Sequence, residues 1–280
     1  MKWFAAALLA LGAATAHSQE NCGGPETPCE ISAGTYHIVL PEGPGPHPVM
    51  VFLHGAGGKG AALVGSGGIS GTAVSRGYAY IAPNGLIRPG RMRSGWSFHP
   101  FFVKRRDERA FIRDVLADAT KRFNLDPKRT ILAGFSIGGS LASYIACDHP
   151  SDFSAYAPVA GNLWRPHPEH CAGPVRLLHT HGWRDKTVPL EGRILRQIGD
   201  KTLAQGDVFH AMLIWRTVNG CANYRADQFD TKGLFWRRIW NKCFPSTALE
   251  LALFDGGHGV PPGWADMVLD WFEGLDANAD

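Results

Sequence analysis

The apolar positions of the chain fall into short unbroken runs that alternate with stretches of helical periodicity. The run at 48–53 is apolar throughout, which is typical of a strand buried on both faces of a sheet. Further strands are predicted at 78–82, 129–133, 154–159, 175–180, 237–241 and 249–254. Between 107 and 123, Phe111, Val115 and Ala119 recur at four-residue spacing, which indicates one face of a helix. Further helices are predicted near 71–76, 137–147, 190–204, 208–218 and 264–274. Strands that alternate with helices predict an α/β fold, with a mostly parallel central sheet and helices on both of its faces.

The amino-terminal segment has the pattern of an export signal. Lys2 precedes an apolar run from Trp3 to Ala14, which is too short to span a bilayer comfortably. The small residues Ala14 and Ala16 form a cleavage pattern, so we expect residues 1–18 to be a signal peptide that is removed on secretion to the extracellular or periplasmic space. A buried N-terminal helix is the alternative. Residues 19–280 show no repeat and no break in composition, so we expect a single domain.

Composition narrows the class of protein. Apolar residues make up 45% of the 280 residues and charged residues 19%, which is enough to build a substantial core. The formal net charge is +3, and no basic run is longer than the three residues at 104–106, so we expect no nucleic-acid partner. No segment reaches the length of a membrane span, so we expect none.

The chain has six cysteines, an even number that predicts disulfide bonds in an exported protein. The count alone does not decide the pairing. We favour bonds between neighbours along the chain, which would join Cys22 to Cys29, Cys147 to Cys171, and Cys221 to Cys243. A structural metal site is the alternative, and the absence of any C-x-x-C pair disfavours it.

The segment GFSIG at 134–138 matches the pattern G-x-S-x-G and lies between a predicted strand and a predicted helix. In that context the pattern indicates a nucleophile elbow, a sharp turn that presents the Ser136 hydroxyl at the carboxyl edge of the sheet. An ordinary glycine-rich turn is the alternative. A serine hydroxyl is a poor nucleophile by itself, so the elbow hypothesis requires a base and an acid elsewhere in the chain.

Two later loops supply an acid and a base in the chain order that such an elbow requires. Asp185 and His258 each come a few residues after a predicted strand. Asp255 is an alternative acid, but it is only three residues from His258, an awkward separation for a side-chain contact. We therefore predict Ser136 as nucleophile, His258 as base and Asp185 as acid.

The histidines near these loops allow other interpretations. His179 and His181 together with Asp185 resemble metal ligands, but no further histidine and carboxylate stand at a fitting spacing, so we predict no metal and no cofactor. His181 is expected to pack at the strand end beside the site, and His54 to brace the loop that follows it. Histidines without a surrounding motif are expected in loops or on the surface, and they are His37, His47, His99, His149, His167, His170 and His210.

The glycine-rich segment HGAGG at 54–58 directly follows the first predicted apolar strand. Attack of a serine on an ester creates an oxyanion, which needs fixed N–H donors. We predict that these donors are the N–H of Ala56 in this loop and the N–H of Ile137, directly after Ser136. A simple turn is one alternative. A phosphate-binding loop is another, which the lack of Walker spacing disfavours.

These segments together resemble the secreted polyhydroxybutyrate depolymerase/feruloyl esterase-like family, relatives of the carbohydrate esterases with an α/β-hydrolase fold. The matching segments are VFLHGAGG (51–58), DERAFIRDVL (107–116), DPKRTILAGFSIGG (126–139), APVAG (157–161), HGWRDKTVP (181–189), NGC (219–221) and DGGHGVPPGW (255–264). The resemblance runs from about residue 34 to the C-terminus. It implies the same three roles for Ser136, Asp185 and His258, and places Ala56 and Ile137 at the oxyanion positions.

The resemblance implies a secreted serine esterase, with residues 19–280 as one α/β-hydrolase catalytic domain, and it supports a bond between Cys221 and Cys243. The implied substrates are hydroxyalkanoate polyesters or oligomers, or feruloyl or acetyl esters of plant polysaccharide, and we expect a monomer. We expect no appended binding module after the domain, and this expectation favours soluble esters or oligomers over dense polyester. Acyl transfer, peptide hydrolysis by the same residues and a non-catalytic polymer-binding role are the alternatives.

Several tryptophans occur in or beside the loops that carry these residues. Trp96, Trp183 and Trp264 are predicted to contact the substrate, and Trp164 lies in a neighbouring loop. Trp183 stands where the family often has a small residue. The segment 88–102, in which members of the family often differ, is expected to shape the substrate cleft. Ordinary packing within the loops is the alternative for all of these aromatic residues.

Overall fold

The computed structural model of the protein describes residues 22–65, 67–87, 90 and 93–277. The predicted signal peptide at 1–18 and four positions of the segment 88–102 lie outside these residues. The strands are β1 (Cys29–Ile31), β2 (Gly34–Val39), β3 (His47–Leu53), β4 (Ala79–Pro83), β5 (Leu86–Ile87), β6 (Ser94–Gly95), β7 (Leu125–Phe135), β8 (Ala155–Val159), β9 (Trp164–Arg165), β10 (Arg176–Gly182), β11 (Ile194–Ile198), β12 (Lys201–Gln205), β13 (Gln228–Asp230), β14 (Phe235–Trp240) and β15 (Ala248–Phe254). The helices are α1 (Gly60–Gly65), α2 (Gly68–Ser75), α3 (Glu108–Phe123), α4 (Ile137–Asp148), α5 (Val208–Val218) and α6 (Trp264–Ala277), with a 3₁₀ turn at Pro150–Asp152.

A ten-stranded sheet in the order β1-β2-β4-β3-β7-β8-β10-β15-β14-β13 forms the centre of the fold. Its interior, from β4 to β15, is parallel throughout. Antiparallel strands close both edges, β1 and β2 on one side and β13 and β14 on the other. The prediction of an α/β-hydrolase fold with a mostly parallel central sheet is confirmed.

Helices cover both faces of the sheet because the central strands are apolar on both faces. In β3, Val49 and Val51 belong to one hydrophobic cluster, which also contains residues of α3, α4 and α5. Met50 and Phe52, which alternate with them, belong to a second cluster with residues of α2 and α6. The two-residue period of the strand therefore divides the core into two layers.

The segment 190–204 is not the predicted helix. It forms the β11–β12 hairpin, which pairs with β9 in a separate three-stranded sheet. Ile198 pairs with Lys201, so Gly199 and Asp200 make a two-residue turn, and Gly199 has the positive φ of 55° that such turns require. A Gly-Asp pair between two strand-like runs is a hairpin signal, and here it outweighs the apolar spacing that indicated a helix.

The outer strands β1, β2 and β13 were also not predicted. Edge strands are short and mix polar with apolar residues, so their sequences lack the unbroken apolar runs of the central strands.

Two histidines that were expected in loops or on the surface are buried. His37 lies in β2 and is hydrogen-bonded to the carbonyl of Gly24 over 2.8 Å, and His99 packs beside Trp164 with a ring distance of 5.9 Å.

Three disulfide bonds join cysteines that are neighbours along the chain: Cys22–Cys29, Cys147–Cys171 and Cys221–Cys243. The second bond ties the last turn of α4 to the loop before β10, and the third closes the base of the segment that carries β13 and β14.

Within the described part of the chain, no helix has the combined length and apolar character of a membrane span.

A buried ion pair anchors the chain just before α3. The Arg106 guanidinium donates to the Glu108 carboxylate over 2.7 and 3.0 Å, and also to the carbonyls of Ala33 and Asn84. It lies 3.5 Å from the centre of the Phe111 ring. Only 8% of the arginine side chain and 2% of the glutamate side chain are exposed. The pair therefore ties together the start of β2, the loop after β4 and the start of α3.

We expect Arg106→Ala to lower the free energy of unfolding by about 3–5 kcal/mol, because the buried Glu108 carboxylate loses its cation. Lys104→Ala is the matched control, since its pair with Asp107 is 71% and 55% exposed, and the expected loss there is below about 1 kcal/mol. Urea unfolding measures both values. Equal losses in the two variants would contradict an anchoring role for Arg106.

Candidate active site

Ser136 occupies the sharp turn between β7 and α4. Its φ of 56° and ψ of −121° lie outside the usual regions for a residue with a side chain, a strain of about 1–3 kcal/mol. The flanking glycines permit this turn: a Cβ at Gly134 would lie 2.5 Å from the carbonyl carbon of Gly138, and one at Gly138 would overlap the carbonyl oxygen of Leu53. The predicted elbow geometry therefore depends on the close approach of β7, α4 and the end of β3.

Asp185 and His258 come from adjacent parallel strands. They follow β10 and β15, whose carboxyl ends meet at the same edge of the sheet. The loops after these strands are joined by two hydrogen bonds, from the N–H of Trp183 to the carbonyl of Phe254 and from the N–H of Arg184 to that of Gly256, each over 2.8 Å. Sheet pairing and loop pairing together hold the acid and the imidazole in register.

Ser136, His258 and Asp185 form one hydrogen-bonded chain. His258 Nε2 lies 3.0 Å from Ser136 Oγ, and His258 Nδ1 lies 2.7 Å from Asp185 Oδ2. The imidazole is also packed against the Phe135 ring, with centroids 4.7 Å apart. The structure thus brings together the three residues that the sequence analysis singled out at this edge of the sheet.

The environment of Asp185 keeps its carboxylate ionised. Its Oδ1 accepts hydrogen bonds from the N–H groups of Thr187 and Val188, each over 2.8 Å. Burial alone would raise the pKa of Asp185, but the bonds from His258, Val188 and Thr187 outweigh it and lower the pKa below its ordinary value. An ionised carboxylate only accepts, so Nδ1 of His258 carries the proton, and Nε2 of the neutral ring accepts from the Ser136 hydroxyl.

Asp255, the alternative acid, lies outside this chain of hydrogen bonds. Its side chain is 62% exposed and pairs with Arg184 over 2.9 Å. An exposed carboxylate that already has a surface partner cannot hold the imidazole in one orientation as the buried Asp185 does. The structure therefore favours Asp185.

The loop after β3 passes beside Ser136. A Cβ at Gly55 would lie 3.4 Å from the Cβ of Ser136, so Ala56 directly follows a residue whose backbone lies near the serine. The N–H of Gly57 is bonded to the Ser94 carbonyl and that of Gly58 to the Gly55 carbonyl. Ala56 itself is exposed at the edge of the site.

Ile137 is the first residue of α4, directly after the serine. The N–H groups in the first turn of a helix have no partner inside the helix, and the helix dipole adds positive potential there. This N–H belongs to the residue after Ser136, and the loop of Ala56 approaches Ser136 from the end of β3.

His54 braces the loop, as predicted from its position at the start of HGAGG. Its Nδ1 lies 2.7 Å from the Gly55 carbonyl, and the N–H of Gly85 donates to its Nε2 over 2.9 Å. This pattern requires a neutral ring with the proton on Nδ1. Burial lowers the pKa of His54, with a small contribution from Arg106, although the bond to Gly55 opposes the shift.

A pair of buried histidines, His179 and His181, lies behind Asp185, and His181 packs at the strand end beside the site, as expected. His179 Nε2 and His181 Nδ1 are 3.1 Å apart, and His181 Nε2 is 2.8 Å from the carbonyl of Val188, whose N–H bonds Asp185. Burial lowers the pKa of both rings, which favours their neutral forms. These ring nitrogens are engaged within the protein, which argues against the metal-ligand interpretation. The alternation H-x-H at the end of a strand was the available signal, since it places both rings on one face.

Two of the three predicted substrate contacts are wrong. Trp96 is fully buried beneath the loop after β3 and donates to the carbonyl of His54 over 2.8 Å. Trp264, at the start of α6, is 1% exposed and donates to Thr180 Oγ1. Neither indole can reach a ligand, because the packing of the sheet against its helices encloses both. Trp183, by contrast, is 54% exposed.

A cleft of about 960 Å³ opens beside the β11–β12 hairpin, and its lining includes Phe101, Tyr144, Lys201 and Ala204 but none of Ser136, Asp185 and His258. Tyr144 lies on α4 about 12 Å beyond Ser136 along the helix axis. The hydrogen-bonded site at the edge of the sheet and this lateral cleft are therefore separate places in the fold.

Sequence comparison relates the chain to esterases. NocK of Nocardia uniformis subsp. tsuyamanensis, whose name describes it as an esterase, is 32% identical over 158 residues, which cover 55% of this chain and 43% of NocK. Feruloyl esterase B of Piromyces equi is 28% identical over 136 residues, which cover 47% of this chain and 25% of that protein. The chain therefore spans less than half the length of these two relatives. Feruloyl esterase C of Emericella nidulans is 27% identical over 276 residues, which cover 91% of this chain and 90% of that protein.

Solved structures show the same fold at low sequence identity. Acetyl xylan esterase from Aspergillus awamori superposes with a TM-score of 0.59 at 15% identity, covering 92% of this chain and 98% of that one. Esterase PE8 superposes with a TM-score of 0.55 at 18% identity, covering 85% and 97%.

The family model described as phospholipase/carboxylesterase matches residues 34–211, which include β2, the elbow and Asp185. This match covers more than half of the chain. It agrees with the fold, with the sequence relatives and with the resemblance carried by the motifs. The chain therefore belongs to the phospholipase/carboxylesterase family of α/β-hydrolases, a family of carboxylic ester hydrolases.

Proposed function

We propose that the protein is a secreted serine esterase that hydrolyses feruloyl or acetyl esters of plant polysaccharide. The observation that carries the proposal is the hydrogen-bonded chain from Ser136 through His258 to Asp185, built on a strained elbow. Strain of this kind persists where the surrounding fold imposes it and is concentrated at functional sites.

The geometry supports nucleophilic catalysis. His258 Nε2 accepts the proton of the Ser136 hydroxyl as Oγ attacks the acyl carbonyl, and a tetrahedral intermediate forms. The intermediate collapses to an acyl-serine while the imidazolium returns the proton to the departing alcohol. Water then attacks the acyl carbon and gives a proton to His258 Nε2. The second tetrahedral intermediate collapses to the carboxylic acid while the imidazolium returns that proton to Ser136 Oγ. Acylation and deacylation therefore each begin and end with a neutral imidazole.

Asp185 is a positioning residue in this mechanism. Its carboxylate accepts from Nδ1 of His258, so it selects the tautomer that can take a proton at Nε2 and stabilises the imidazolium that forms. The oxyanion of the intermediate needs donors on the side of the carbonyl, and the N–H groups of Ile137 and Ala56 are the candidates next to the nucleophile. Loss of one such donor lowers the rate by about 10²–10³.

The substrate class is proposed from the named relatives. Feruloyl esterase C matches nearly the whole chain, and a bifunctional acetylxylan esterase/xylanase of Neocallimastix patriciarum is 24% identical over 151 residues. Secretion is proposed from the three disulfide bonds, which persist in oxidising compartments. We also propose that residues 19–280 act as a single monomeric catalytic domain.

A panel of four substrates tests the proposal: nitrophenyl acetate, methyl ferulate, acetylated xylan and 3-hydroxybutyrate oligomers. We expect hydrolysis of nitrophenyl acetate, because the serine chemistry requires only an accessible ester, together with methyl ferulate or acetylated xylan, the ester classes in the names of the relatives. Liquid chromatography of the released acids, with and without a competing alcohol, separates hydrolysis from acyl transfer. Activity confined to the hydroxybutyrate oligomers would contradict the proposed substrate class and indicate a polyester substrate. A folded protein without any ester turnover would contradict the proposed esterase function.

A further inference from the structure

The edge of the sheet next to Asp185 carries a row of exposed aromatic side chains. Trp183 is 54% exposed, Trp236 37% and Phe229 55%. The two indoles contact each other edge to face, with ring centres 6.3 Å apart. We call Trp183, Trp236 and Phe229 the aromatic stripe. Exposed apolar side chains that adjoin one another on a surface mark binding sites more often than single ones do.

Strand register explains why these residues share one face. Trp236 pairs with Leu253 of β15, and Leu253 pairs with His181 of β10. Paired residues of neighbouring strands point to the same face, and Trp183, in the turn directly after β10, contacts Trp236 on that face. On β13, Phe229 pairs with Arg238, which lies two residues beyond Trp236 on β14. The stripe therefore runs from the loop of Asp185 outward along the edge hairpin.

The same face is covered by helix at one end only. Trp240, two residues beyond Arg238, is buried, and the guanidinium of Arg216 on α5 lies 5.5 Å from its ring. Towards Asp185 this cover ends, and Trp236 and Trp183 are open to solvent. The exposed part of the face therefore begins where α5 stops and leads to the candidate site.

A polar group interrupts the stripe. The Arg238 guanidinium lies 5.3 Å from the centre of the Phe229 ring and is exposed. Alternate residues along a strand are about 7 Å apart, so aromatic faces and a guanidinium with several N–H donors follow one another in a line. Apolar faces spaced along a line, with hydrogen-bond donors between them, suit the ring faces and hydroxyl oxygens of an extended sugar chain.

We propose that the aromatic stripe binds the saccharide chain of the acylated polysaccharide and guides its ester group to Ser136. The proposal rests on the proposed function for its substrate and adds a site for the part of the polymer that is not cleaved. The stripe starts two residues from Asp185, so a chain lying on it leads directly to the hydrogen-bonded site. Small esters, which lack the chain, do not use the stripe.

The kinetic test compares a polymer with a small ester. We expect Trp183→Ala and Trp236→Ala each to lower kcat/KM on feruloylated or acetylated arabinoxylan about fivefold to tenfold, since each substitution removes one stacking face. On nitrophenyl acetate Trp236→Ala, which lies on the edge hairpin, should stay within about twofold of wild type, because a small ester lacks the saccharide chain. Trp183→Phe, which keeps a ring, should restore part of the polymer activity. Tyr224→Ala is the matched control, because Tyr224 is an exposed aromatic residue (78%) outside the stripe.

A binding measurement keeps the test independent of catalysis. Ser136→Ala protein should be retarded in affinity electrophoresis through deacylated arabinoxylan, and retardation should disappear when Trp183→Ala and Trp236→Ala are added. Unchanged retardation, or an equal loss of kcat/KM on polymer and small ester, would contradict the proposal that the aromatic stripe binds the saccharide chain. Retention on poly(3-hydroxybutyrate) granules with no retardation by arabinoxylan would also contradict the proposal and would indicate that the stripe binds a polyester. A wild type that is inactive on every ester would contradict the proposed function. The electrophoresis would still show whether the aromatic stripe binds the saccharide chain, because it does not depend on ester hydrolysis.

Discussion

Ser136→Ala is expected to abolish ester hydrolysis, with kcat falling by a factor on the order of 10⁶. The substitution removes the Oγ that lies 3.0 Å from His258 Nε2 and leaves the imidazole without a nucleophile to activate. It keeps the Cβ atom, so the strained backbone at 136 and the packing around it stay as they are. Single-turnover and steady-state assays on nitrophenyl acetate measure the loss.

Covalent labelling gives a second readout for the same variant. Wild-type protein should react with a fluorophosphonate at one site, and Ser136→Ala protein should not, because the reagent requires an activated serine. Ser75→Ala is the matched control: Ser75 is an exposed serine in α2 whose hydroxyl donates to the Thr72 carbonyl. It should label and turn over as wild type does. Labelling that survives in Ser136→Ala would place the nucleophile elsewhere.

Asp185→Asn is expected to lower kcat by about 10⁴, the second largest effect. The N–H groups of Thr187 and Val188 both point at Oδ1, so the amide oxygen of asparagine is held there and its NH₂ faces His258. Nδ1 must then accept, and the ring proton moves to Nε2. An imidazole with a proton on Nε2 cannot take the proton of Ser136.

Asp255→Asn is the matched control for that substitution, since Asp255 is an exposed carboxylate on the neighbouring loop. It should change kcat by less than about twofold. If Asp255→Asn were the more damaging of the two, the choice of Asp185 as acid would be wrong. Circular dichroism of both variants shows whether each is folded.

The lowered pKa of Asp185 also predicts how the stability of Asp185→Asn depends on pH. A carboxyl with a folded pKa below its ordinary value of about 3.9 contributes stability above that pH and loses it as the pH falls through the folded pKa. The variant should therefore unfold more easily than wild type at neutral pH, and the difference should shrink in strong acid.

Much of the fold was accessible from the pattern of the chain alone. The central strands β3, β8, β10 and β15, and the second half of β7, are short and largely apolar because they are buried on both faces, so their burial can be predicted from the local sequence. The elbow at Ser136 was predictable for a similar reason. Its turn needs glycines at fixed positions between a strand and a helix, which is a requirement on adjacent residues.

Other features depend on contacts between distant segments. The prediction of a helix over the β11–β12 hairpin is wrong, because the spacing of its apolar residues does not show that β12 pairs with β9, about forty residues earlier. Trp96 and Trp264 stand beside active-site loops in sequence, yet both indoles point into the core. A position along the chain indicates which loop a residue belongs to and does not indicate which way its side chain faces.

The sequence by itself determined the central strands and the elbow, since each of these is specified by residues close together in the chain, and the order of serine, acid and histidine can be read along it directly. The tertiary structure decided that His258 lies 3.0 Å from Ser136 and 2.7 Å from Asp185, and that Trp183 meets Trp236. Those contacts follow from the order and register of the strands in one sheet. Register is set by hydrogen bonds between strands far apart in sequence, which local periodicity does not encode.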